Sequence, residues 1–398
     1  MHLLFVTSLV PDGEPSSGYE IANQSIVDAL RRNGAEVTSI GFNWTGKRNA
    51  RDNGDIILGE VDVRSETASG AKKANWVAKA ITGNLTVSSA KLRVVSEDDI
   101  RGAMANAAPF DGYVINGVTL AGAFKNLFRD KPFLFVAHNV EHVSALENAA
   151  SANSAAKRFL FRREAGLLRD LELSLCARAA CTFVLAPEDR GPLGVSAPGR
   201  SILMPLVVAR APRPEIPARA PKFDAGLIGT WTWQPNRVGL EWFVREIVPL
   251  LPSSFSVAVA GHIPSDFGEM PRQVTVLGRV ADSREFIRSC AVVPLVSQAG
   301  TGVQLKTIET FEFGLPSIAT SRSVRGIAGI PSNCTIVDDP LQFAAALTDM
   351  AGKVRAGTLA DLNGLAFHTS QIRLQDRAVM DALANLTHSP DFETRRAA

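Results

Sequence analysis

The chain has 398 residues, 46% of them hydrophobic, which is enough for two or three domains with their own cores. Its 42 basic and 40 acidic residues nearly cancel, which argues against a dedicated nucleic-acid-binding protein, because such proteins carry a basic surface. No window approaches the roughly 20 apolar residues of a membrane-spanning helix, and four scattered cysteines favour a reduced, cytoplasmic enzyme.

Strands and helices alternate from the start of the chain. The opening LLFVTSLV predicts a strand and not a signal peptide, because it lacks a basic start and runs into PDGEP. After a Gly/Pro/Ser loop, helical spacing predicts a helix from Tyr19 to Asn33 that Gly34 ends, and EVTSIGF predicts the next strand. Further strands are expected at GYVIN, PFLFVAH and CTFVLA, with a long helix over 155–179.

A proline-rich stretch divides the chain. Prolines at 212, 214, 217 and 221 interrupt any periodic element, so 206–222 is interpreted as a linker between domains 1–205 and 223–375. The alternation then resumes with AGLIG, a helix over 238–250, SVAVAG, VTVLG, CAVVPL, another helix, PSIAT and TIVDD. Residues 376–398 are expected to form a helix and tail that pack back on the first domain. The pattern predicts an α/β protein with two doubly wound, Rossmann-like parallel-sheet domains facing across a cleft.

The segment GTGVQLKTIETFEFGLP follows the predicted strand CAVVPL, and ligands bind at the carboxyl ends of such strands. Thr301, between two glycines, is expected to cap a helix whose N-terminus suits a phosphate. Lys306 adds a positive charge, and Glu309 lies on the same helix face, placed for ribose hydroxyls. These residues predict a nucleoside-diphosphate site. The alternative is a solvated Lys306–Glu309 ion pair on a surface helix.

Several segments together resemble one enzyme family. GTGVQLKTIETFEFGLPSIAT resembles the donor-binding signature of GT-B glycosyltransferases and is similar to the retaining family 4 type of bacterial polysaccharide assembly. LIGTWTWQPNRVGLEWF resembles the first strand and turn of that donor domain, and VTVLGRVAD resembles its base-lining loop. HNVEH and GLLRDLELSLCARAACTFVLAPED resemble segments of the N-terminal domain. The resemblance covers most of the chain except about 48–108.

The resemblance implies transfer of a sugar from a UDP- or GDP-sugar to a glycan or lipid-linked acceptor, with retention and with no cofactor or metal. Glu309 would bind the ribose. The other expected donor-side residues are Lys306, Thr301, Gly302, Val303, Gly229, Thr230, Arg237, Arg279 and Val280. On the other domain, His138 would orient the sugar or stabilise the departing phosphate, with Gly18 and Asn139 on the acceptor side.

The sequence departs from the family pattern at two places. Thr301 stands where the family has the first of two spaced glutamates, so contacts to the transferred sugar must come from backbone amides or elsewhere. Thr230 stands where many members have an arginine, and Arg237 is the expected substitute for a lysine nearby. Two alternatives stay open, which are a sugar-nucleotide 2-epimerase, because it shares the two-domain fold, and a catalytically inactive sugar-nucleotide-binding subunit, which the threonine at position 301 suggests.

Other residues have a structural interpretation beside the functional one. The structural alternative for His138 is a buried histidine at a strand end, and Glu141 and His142 are as readily structural as functional. The run AKRFLFRREAGLLRDLE is consistent with a helix resting on an anionic membrane surface, which would place the protein at the inner face of the membrane. A core-facing helix with a solvated basic face is the favoured interpretation.

Overall fold

The computed structural model describes residues 1–11, 17–46, 54–63, 68–107, 109–209 and 219–388. The chain divides into two compact units, Met1–Leu206 with Arg373–Ala398 and Val207–Ile372. Each unit contains a parallel sheet with helices between its strands, which confirms the predicted α/β class. Three of the four linker prolines and the predicted tail beyond 388 lie outside the described residues.

The first unit is built on a seven-stranded sheet in the order β3-β2-β1-β4-β5-β6-β7, with every pair parallel. The strands are β1 His2–Leu9, β2 Glu36–Trp44, β3 Ile56–Val61, β4 Gly112–Asn116, β5 Phe133–Ala137, β6 Cys181–Val184 and β7 Ser201–Leu203. β1 pairs with β4, so the strand order reverses between them. In open α/β sheets, the crevice at this reversal is where ligands bind.

Hydroxyl side chains set the starts of five helices in this unit. Ser17, Ser69, Thr86, Ser96 and Ser154 each accept a backbone N–H of the first turn, as N-cap residues do. The helices are α1 Gly18–Arg32, α2 Gly70–Thr82, α3 Val87–Lys91, α4 Glu97–Ala105, α5 Thr119–Ala123, α6 Glu141–Ala150 and α7 Ala155–Arg178.

Two sequence predictions for the first helix have different outcomes. Gly34 has a φ of +84°, which confirms that it ends α1 in the left-handed conformation. Gly18 was expected in the loop after the first strand. It is instead the first residue of α1, because the Ser17 side chain accepts the Glu20 N–H and starts the helix there.

The second unit repeats the plan with the parallel order β10-β9-β8-β11-β12-β13. Its strands are β8 Phe223–Ile228, β9 Val257–Ala260, β10 Val274–Gly278, β11 Cys290–Leu295, β12 Ser317–Ala319 and β13 Cys334–Ile336. Its helices are α8 Gln234–Trp242, α9 Ser283–Arg288, α10 Leu305–Glu312 and α11 Pro340–Arg355, and α12 Gly364–Thr387 runs from this unit into the first. β8 and β11 form the second point of reversal.

The helix expected over 238–250 differs from the observed one at both ends. It begins at Gln234, because Pro235 in the first turn has a backbone angle already suited to a helix. After Trp242 the chain continues as a π-helical turn over Phe243–Ile247 and then as a 3₁₀ turn over Val248–Leu250. Pro249 has no N–H to continue an α-helical ladder, which accounts for the irregular end.

The C-terminal end of α10 is fixed by a buried carboxylate. Glu312 accepts the backbone N–H groups of Val208 and Ala209 at 2.9 and 2.7 Å, and its Oε1 lies 3.1 Å from His368 Nδ1. The following Gly314 has a φ of +66°, as expected for a residue that stops the helix. One helix thus carries Glu312 in its last turn and the predicted Lys306 and Glu309 in its first two turns.

Candidate functional site

The loop between β11 and α10 is tied down at its start. The Ser297 N–H donates to Ser323 Oγ at 2.8 Å, and Thr320 Oγ1 donates to the Ser297 carbonyl at 2.7 Å. Gly300 adopts a φ of +88°, which glycine reaches without the steric cost of a side chain. The anchoring residues Thr320 and Ser323 follow β12, the neighbour of β11. The carboxyl ends of these two strands therefore hold the loop in place.

The predicted capping role of Thr301 is wrong. The helix begins at Leu305, four residues later, and its N-cap residue is Gln304, whose side chain makes no capping hydrogen bond. The chain bends at Thr301 and Gly302 and stays in a loop until Gln304, so Thr301, Gly302 and Val303 precede the helix. The first N–H groups of a helix lack intrahelical partners, so this uncapped end keeps the capacity to bind an anion.

Lys306, in the first turn of α10, is a desolvated cation. Its Nζ lies 5.8 Å from the centroid of the Trp231 ring, and Lys306, Trp231 and Thr310 help to line a small, mainly apolar cavity. Burial lowers the pKa of Lys306 to about 8. Within the described ranges, no carboxylate lies within ion-pair distance of this ammonium. The arrangement favours an anionic ligand, since an uncompensated buried charge is costly.

Trp231 is held rigidly below this lysine. Its side chain is 1% exposed, and its Nε1–H donates to the Ala260 carbonyl at 2.8 Å. A Cβ on Gly261 would lie 2.0 Å from the Gly229 carbonyl oxygen, and one on Gly229 would lie 3.1 Å from the ring. Trp231 was not predicted from the sequence, because GTWTW contains two tryptophans and does not show which one is buried. Trp233, the second, is half exposed.

Glu309 lies one turn after Lys306 and does not pair with it. Its Oε1 is 3.8 Å from Arg284 Nε, and no ion pair with Lys306 occurs in the part of the chain that the structure describes. Burial raises the pKa of Glu309, and the Arg284 charge opposes that shift. The alternative of a solvated Lys306–Glu309 pair is therefore not observed. Lys306 keeps its ammonium for another partner, whereas Glu309 faces Arg284.

The remaining predicted donor-side residues follow β8 and β10. Gly229 and Thr230 directly follow β8, and Arg279 and Val280 directly follow β10, where Arg279 is exposed. Arg237, in the first turn of α8, has its own partners.

Two carboxylates compensate the charge of Arg237. Its Nε donates to Glu241 at 2.8 Å, and its Nη1 donates to Asp266 at 3.0 Å. The guanidinium is therefore less suited than Lys306 to balance a diphosphate, and the expected substitution of Arg237 for the family's lysine has little support in this geometry.

A polar network with a buried centre lies in the first unit and was not predicted from the sequence. It lies at the carboxyl ends of β1, β4 and β5 and consists of Thr7, Tyr19, Asn23, Asn116 and His138. Asn116 is its centre, because its Nδ2 donates to Asn23 Oδ1 at 2.7 Å and its Oδ1 lies 2.8 Å from His138 Nε2. Polar residues at strand ends were the available signal, and only His138 was selected from them.

His138 is a neutral residue of this network. Burial lowers its pKa to about 4, and its ring packs against Tyr19 with the two centroids 5.2 Å apart. An uncharged imidazole orients a hydroxyl by hydrogen bonding more readily than it stabilises a departing phosphate. Of the two expected roles, the geometry favours orienting the sugar. The adjacent Asn139 donates to Glu141 Oε1 at 3.3 Å.

His142 and Glu141 have structural tasks in the first turn of α6. Glu172, buried on α7, accepts the backbone N–H groups of Glu141 and His142 at 2.7 and 3.1 Å. The same carboxylate lies 2.6 Å from His142 Nδ1. These bonds join α6 to α7, so the structural interpretation of His142 is the one that the contacts support.

The fold and the candidate site in the second unit together indicate a class of protein. Two parallel-sheet α/β units, one with a glycine-rich loop, an uncapped helix and a desolvated lysine at its point of strand reversal, have the architecture of GT-B glycosyltransferases. Residues 222–352 match the family described as Glycosyl transferases group 1, so the second unit is a glycosyltransferase domain and the protein is a glycosyltransferase. No curated protein sequence matches the chain.

Solved structures resemble the whole chain at low sequence identity. WaaG, a glycosyltransferase involved in lipopolysaccharide biosynthesis, has a TM-score of 0.52 and 13% identity, with 99% of this chain and 98% of that one covered. TarM has a TM-score of 0.57 and 11% identity, with 98% and 99% covered. A UDP-glucosyltransferase from Polygonum tinctorium has a TM-score of 0.50 and 12% identity, with 98% and 99% covered. These likenesses establish a shared fold.

The titration of Lys306 predicts how nucleotide affinity depends on pH. An anion stabilises the charged ammonium, so a diphosphate should bind less tightly as pH rises through about 8 and the lysine loses its proton. If only the charged form binds, UDP affinity falls about tenfold between pH 7 and 9, measured by calorimetry. Lys306→Arg, which stays charged, should remove the dependence. Equal slopes for the parent and the folded arginine variant would contradict the assignment.

Proposed function

We propose that the protein transfers a sugar from a nucleoside-diphosphate sugar to a hydroxyl of a glycan or glycolipid in bacterial surface polysaccharide synthesis. The observation that carries the proposal is Lys306, a half-buried lysine with a lowered pKa and no carboxylate partner among the described residues, in the first turn of α10. Because a helix N-terminus and an uncompensated lysine both favour an anion, a diphosphate fits the position.

Each polar group near this position has a proposed task. The Gly300–Gly302 loop and the first N–H groups of α10 bind phosphate oxygens together with Lys306. Glu309, one turn further, accepts the two ribose hydroxyls, for which its charged form is the better acceptor. Burial raises the pKa of Glu309 because it destabilises the charged carboxylate, and hydroxyl groups that donate to the carboxylate offset this destabilisation. UDP-sugars and GDP-sugars both remain candidate donors, because no residue discussed above distinguishes uracil from guanine.

The proposed reaction retains the anomeric configuration and needs no metal or other cofactor. The bond between the sugar carbon and the diphosphate oxygen breaks, and the acceptor oxygen bonds to the same face of that carbon. The acceptor proton passes to the leaving diphosphate. The protein supplies position and charge, since Lys306 and the helix N-terminus stabilise the negative charge that develops on the diphosphate. Comparable turnover with and without EDTA is the expected result of an assay with purified protein.

A solved structure of S. aureus TarM in complex with UDP and alpha-GlcNAc-glycerol supports a nucleotide donor and a hydroxyl acceptor for this fold. That chain is 10% identical to this one, with a TM-score of 0.53. The 2-epimerase alternative predicts conversion of a UDP-sugar without acceptor. The inactive-subunit alternative, motivated by Thr301, predicts UDP binding without transfer or donor hydrolysis. Incubation of the sugar nucleotide with and without acceptor, followed by mass spectrometry and identification of the products, distinguishes the transferase from the epimerase and from the inactive subunit.

Substitution of Glu309 tests the donor site. Glu309→Gln should weaken UDP binding about tenfold to a hundredfold, because a hydrogen bond to a charged group is worth roughly 1.5–3 kcal/mol. Calorimetry with UDP and with UDP-sugar should show similar losses, since both ligands carry the ribose. The matched control is Glu269→Gln, an exposed carboxylate of the same unit, which should bind as the parent does. Unchanged UDP affinity in a folded Glu309→Gln protein would remove Glu309 from the site.

Contact with an anionic membrane surface is proposed for the start of α7. Phe159 is 72% exposed there, and the flanking Lys157, Arg158 and Arg162 are also exposed, whereas the helix faces the core from Ala165 onwards. No helix in the described ranges is long and apolar enough to cross a membrane.

Sedimentation with phosphatidylglycerol vesicles tests this contact. The parent protein should bind the vesicles. Phe159→Ser should bind several-fold more weakly, because the aromatic ring would insert between the lipids and supply apolar contact there. The matched control is Leu341→Ser, which removes a 66% exposed leucine from the second unit and should bind like the parent. Equal sedimentation with phosphatidylcholine vesicles, or no effect of Phe159→Ser, would exclude this surface.

A further inference from the structure

The geometry points to Asn116 as a positioning residue that holds the His138 imidazole in its Nε2-protonated tautomer and leaves the Nδ1 lone pair as a hydrogen-bond acceptor. The tautomer follows from hydrogen-bond directions within the first unit. Only the consequence for sugar transfer rests on the proposed function.

The directions are set by the Leu9 carbonyl, which can only accept. Thr7 Oγ1 donates to this oxygen at 3.2 Å, and Asn23 Nδ2 lies 3.5 Å from it and 3.2 Å from Thr7 Oγ1. The opposite orientation of the Asn23 amide would place its oxygen against the Leu9 oxygen. The nitrogen of Asn23 therefore faces Leu9, and its oxygen faces away.

The Asn23 oxygen in turn orients Asn116. Asn23 Oδ1 is an acceptor and lies 2.7 Å from the Asn116 amide, so the Asn116 group that meets it is the NH₂. The same NH₂ lies 3.2 Å from Thr7 Oγ1 and 3.3 Å from the Tyr19 hydroxyl. All three contacts place the nitrogen on one side of Asn116. Its oxygen is left on the other side, facing His138.

The Asn116 oxygen decides where the His138 proton lies. It is 2.8 Å from His138 Nε2, and two acceptors do not approach so closely, so Nε2 carries a proton and donates it. The pKa of His138, lowered by burial to about 4, makes the ring neutral at pH 7. A neutral imidazole has one protonated nitrogen, so Nδ1 is unprotonated.

Nδ1 is then available to a ligand. Across the described part of the chain, the bond to Asn116 is the only hydrogen bond of His138. Two titratable side chains lie nearby, Tyr19 on α1 against the ring face and Glu141 three residues along the chain, and neither is hydrogen-bonded to the ring in the described ranges. Under the proposed function, Nδ1 accepts a hydrogen bond from a sugar hydroxyl.

Nitrogen NMR of the full-length protein, labelled with ¹⁵N-histidine, tests the tautomer without any substrate. The chain has six histidines, and the spectrum of His138→Ala assigns the signals of His138. The expected result is a protonated Nε2 and an unprotonated Nδ1 at pH 7, with the ring neutral down to about pH 5. A protonated Nδ1, or an imidazolium at pH 7, would overturn the inference.

Asn116→Asp tests whether Asn116 is the partner of the ring. A carboxylate at this position still accepts from Nε2–H and adds a negative charge, so the pKa of His138 should rise by about 1–3 units. A role of Asn116 in folding alone would not move this titration. A parent-like titration curve for His138 in the folded variant would show that Asn116 does not bond the ring.

Activity measurements connect the tautomer to turnover. Asn116→Leu removes the acceptor at similar size and should lower kcat about tenfold or more, while UDP affinity stays within about twofold. Adding His138→Ala should lower kcat no further, because both substitutions remove the same function. Thr182→Val, which removes a buried hydroxyl from β6 of the same sheet, is the control for general destabilisation and should keep parental kcat.

The outcomes separate this inference from the proposed function. Parental kcat in folded Asn116→Leu, or additive losses in the double variant, would contradict the positioning role. If the parent shows no sugar transfer, the proposed function fails, and the NMR measurements still decide the tautomer and its dependence on Asn116.

Discussion

The candidate donor site depends on one unbalanced charge. Lys306 holds its ammonium 5.8 Å from the centre of the Trp231 ring, and no described carboxylate compensates it. An aromatic face attracts a cation, but by a few kcal/mol at most, which does not replace the hydration that burial removes. An anionic ligand would supply the remaining stabilisation. The neighbouring Arg237, in contrast, is already balanced by Glu241 and Asp266.

The rest of the second unit keeps this lysine in place. Trp231 is hydrogen-bonded to the Ala260 carbonyl and enclosed by glycines that leave no room for a side chain. At the other end of α10, Glu312 binds Val208, Ala209 and His368, so the helix is fixed at its last turn. A helix held at its C-terminus presents its N-terminus at a constant position, which preorganised binding of a diphosphate requires.

The two units use their points of strand reversal differently. At the β8–β11 reversal, the second unit offers a positive charge and backbone N–H groups, which suit an anion. At the β1–β4 reversal, the first unit offers neutral hydrogen-bonding groups centred on Asn116, which suit hydroxyl groups. One building plan thus provides two kinds of site, because the side chains at the strand ends differ. A sugar nucleotide carries both kinds of chemical group.

The alternation of apolar strands and amphipathic helices was sufficient to predict both parallel sheets, and the strand-end rule led to Lys306, Glu309 and His138. The start of α10 was misplaced, because a threonine between two glycines has the composition of a cap while the glycines allow a longer loop. Trp231 and Asn116 were missed for a different reason. Their roles depend on contacts between residues far apart in sequence, such as Asn23 with Asn116, which no local pattern reveals.

The central claim is that Lys306 is the cation that binds the diphosphate, and calorimetry on Lys306→Ala tests it most directly. UDP and uridine share the base and the ribose and differ in the diphosphate. The account predicts that the variant loses at least tenfold in affinity for UDP and keeps its affinity for uridine within about twofold. Equal losses for the two ligands, or unchanged UDP binding in a folded variant, would contradict it.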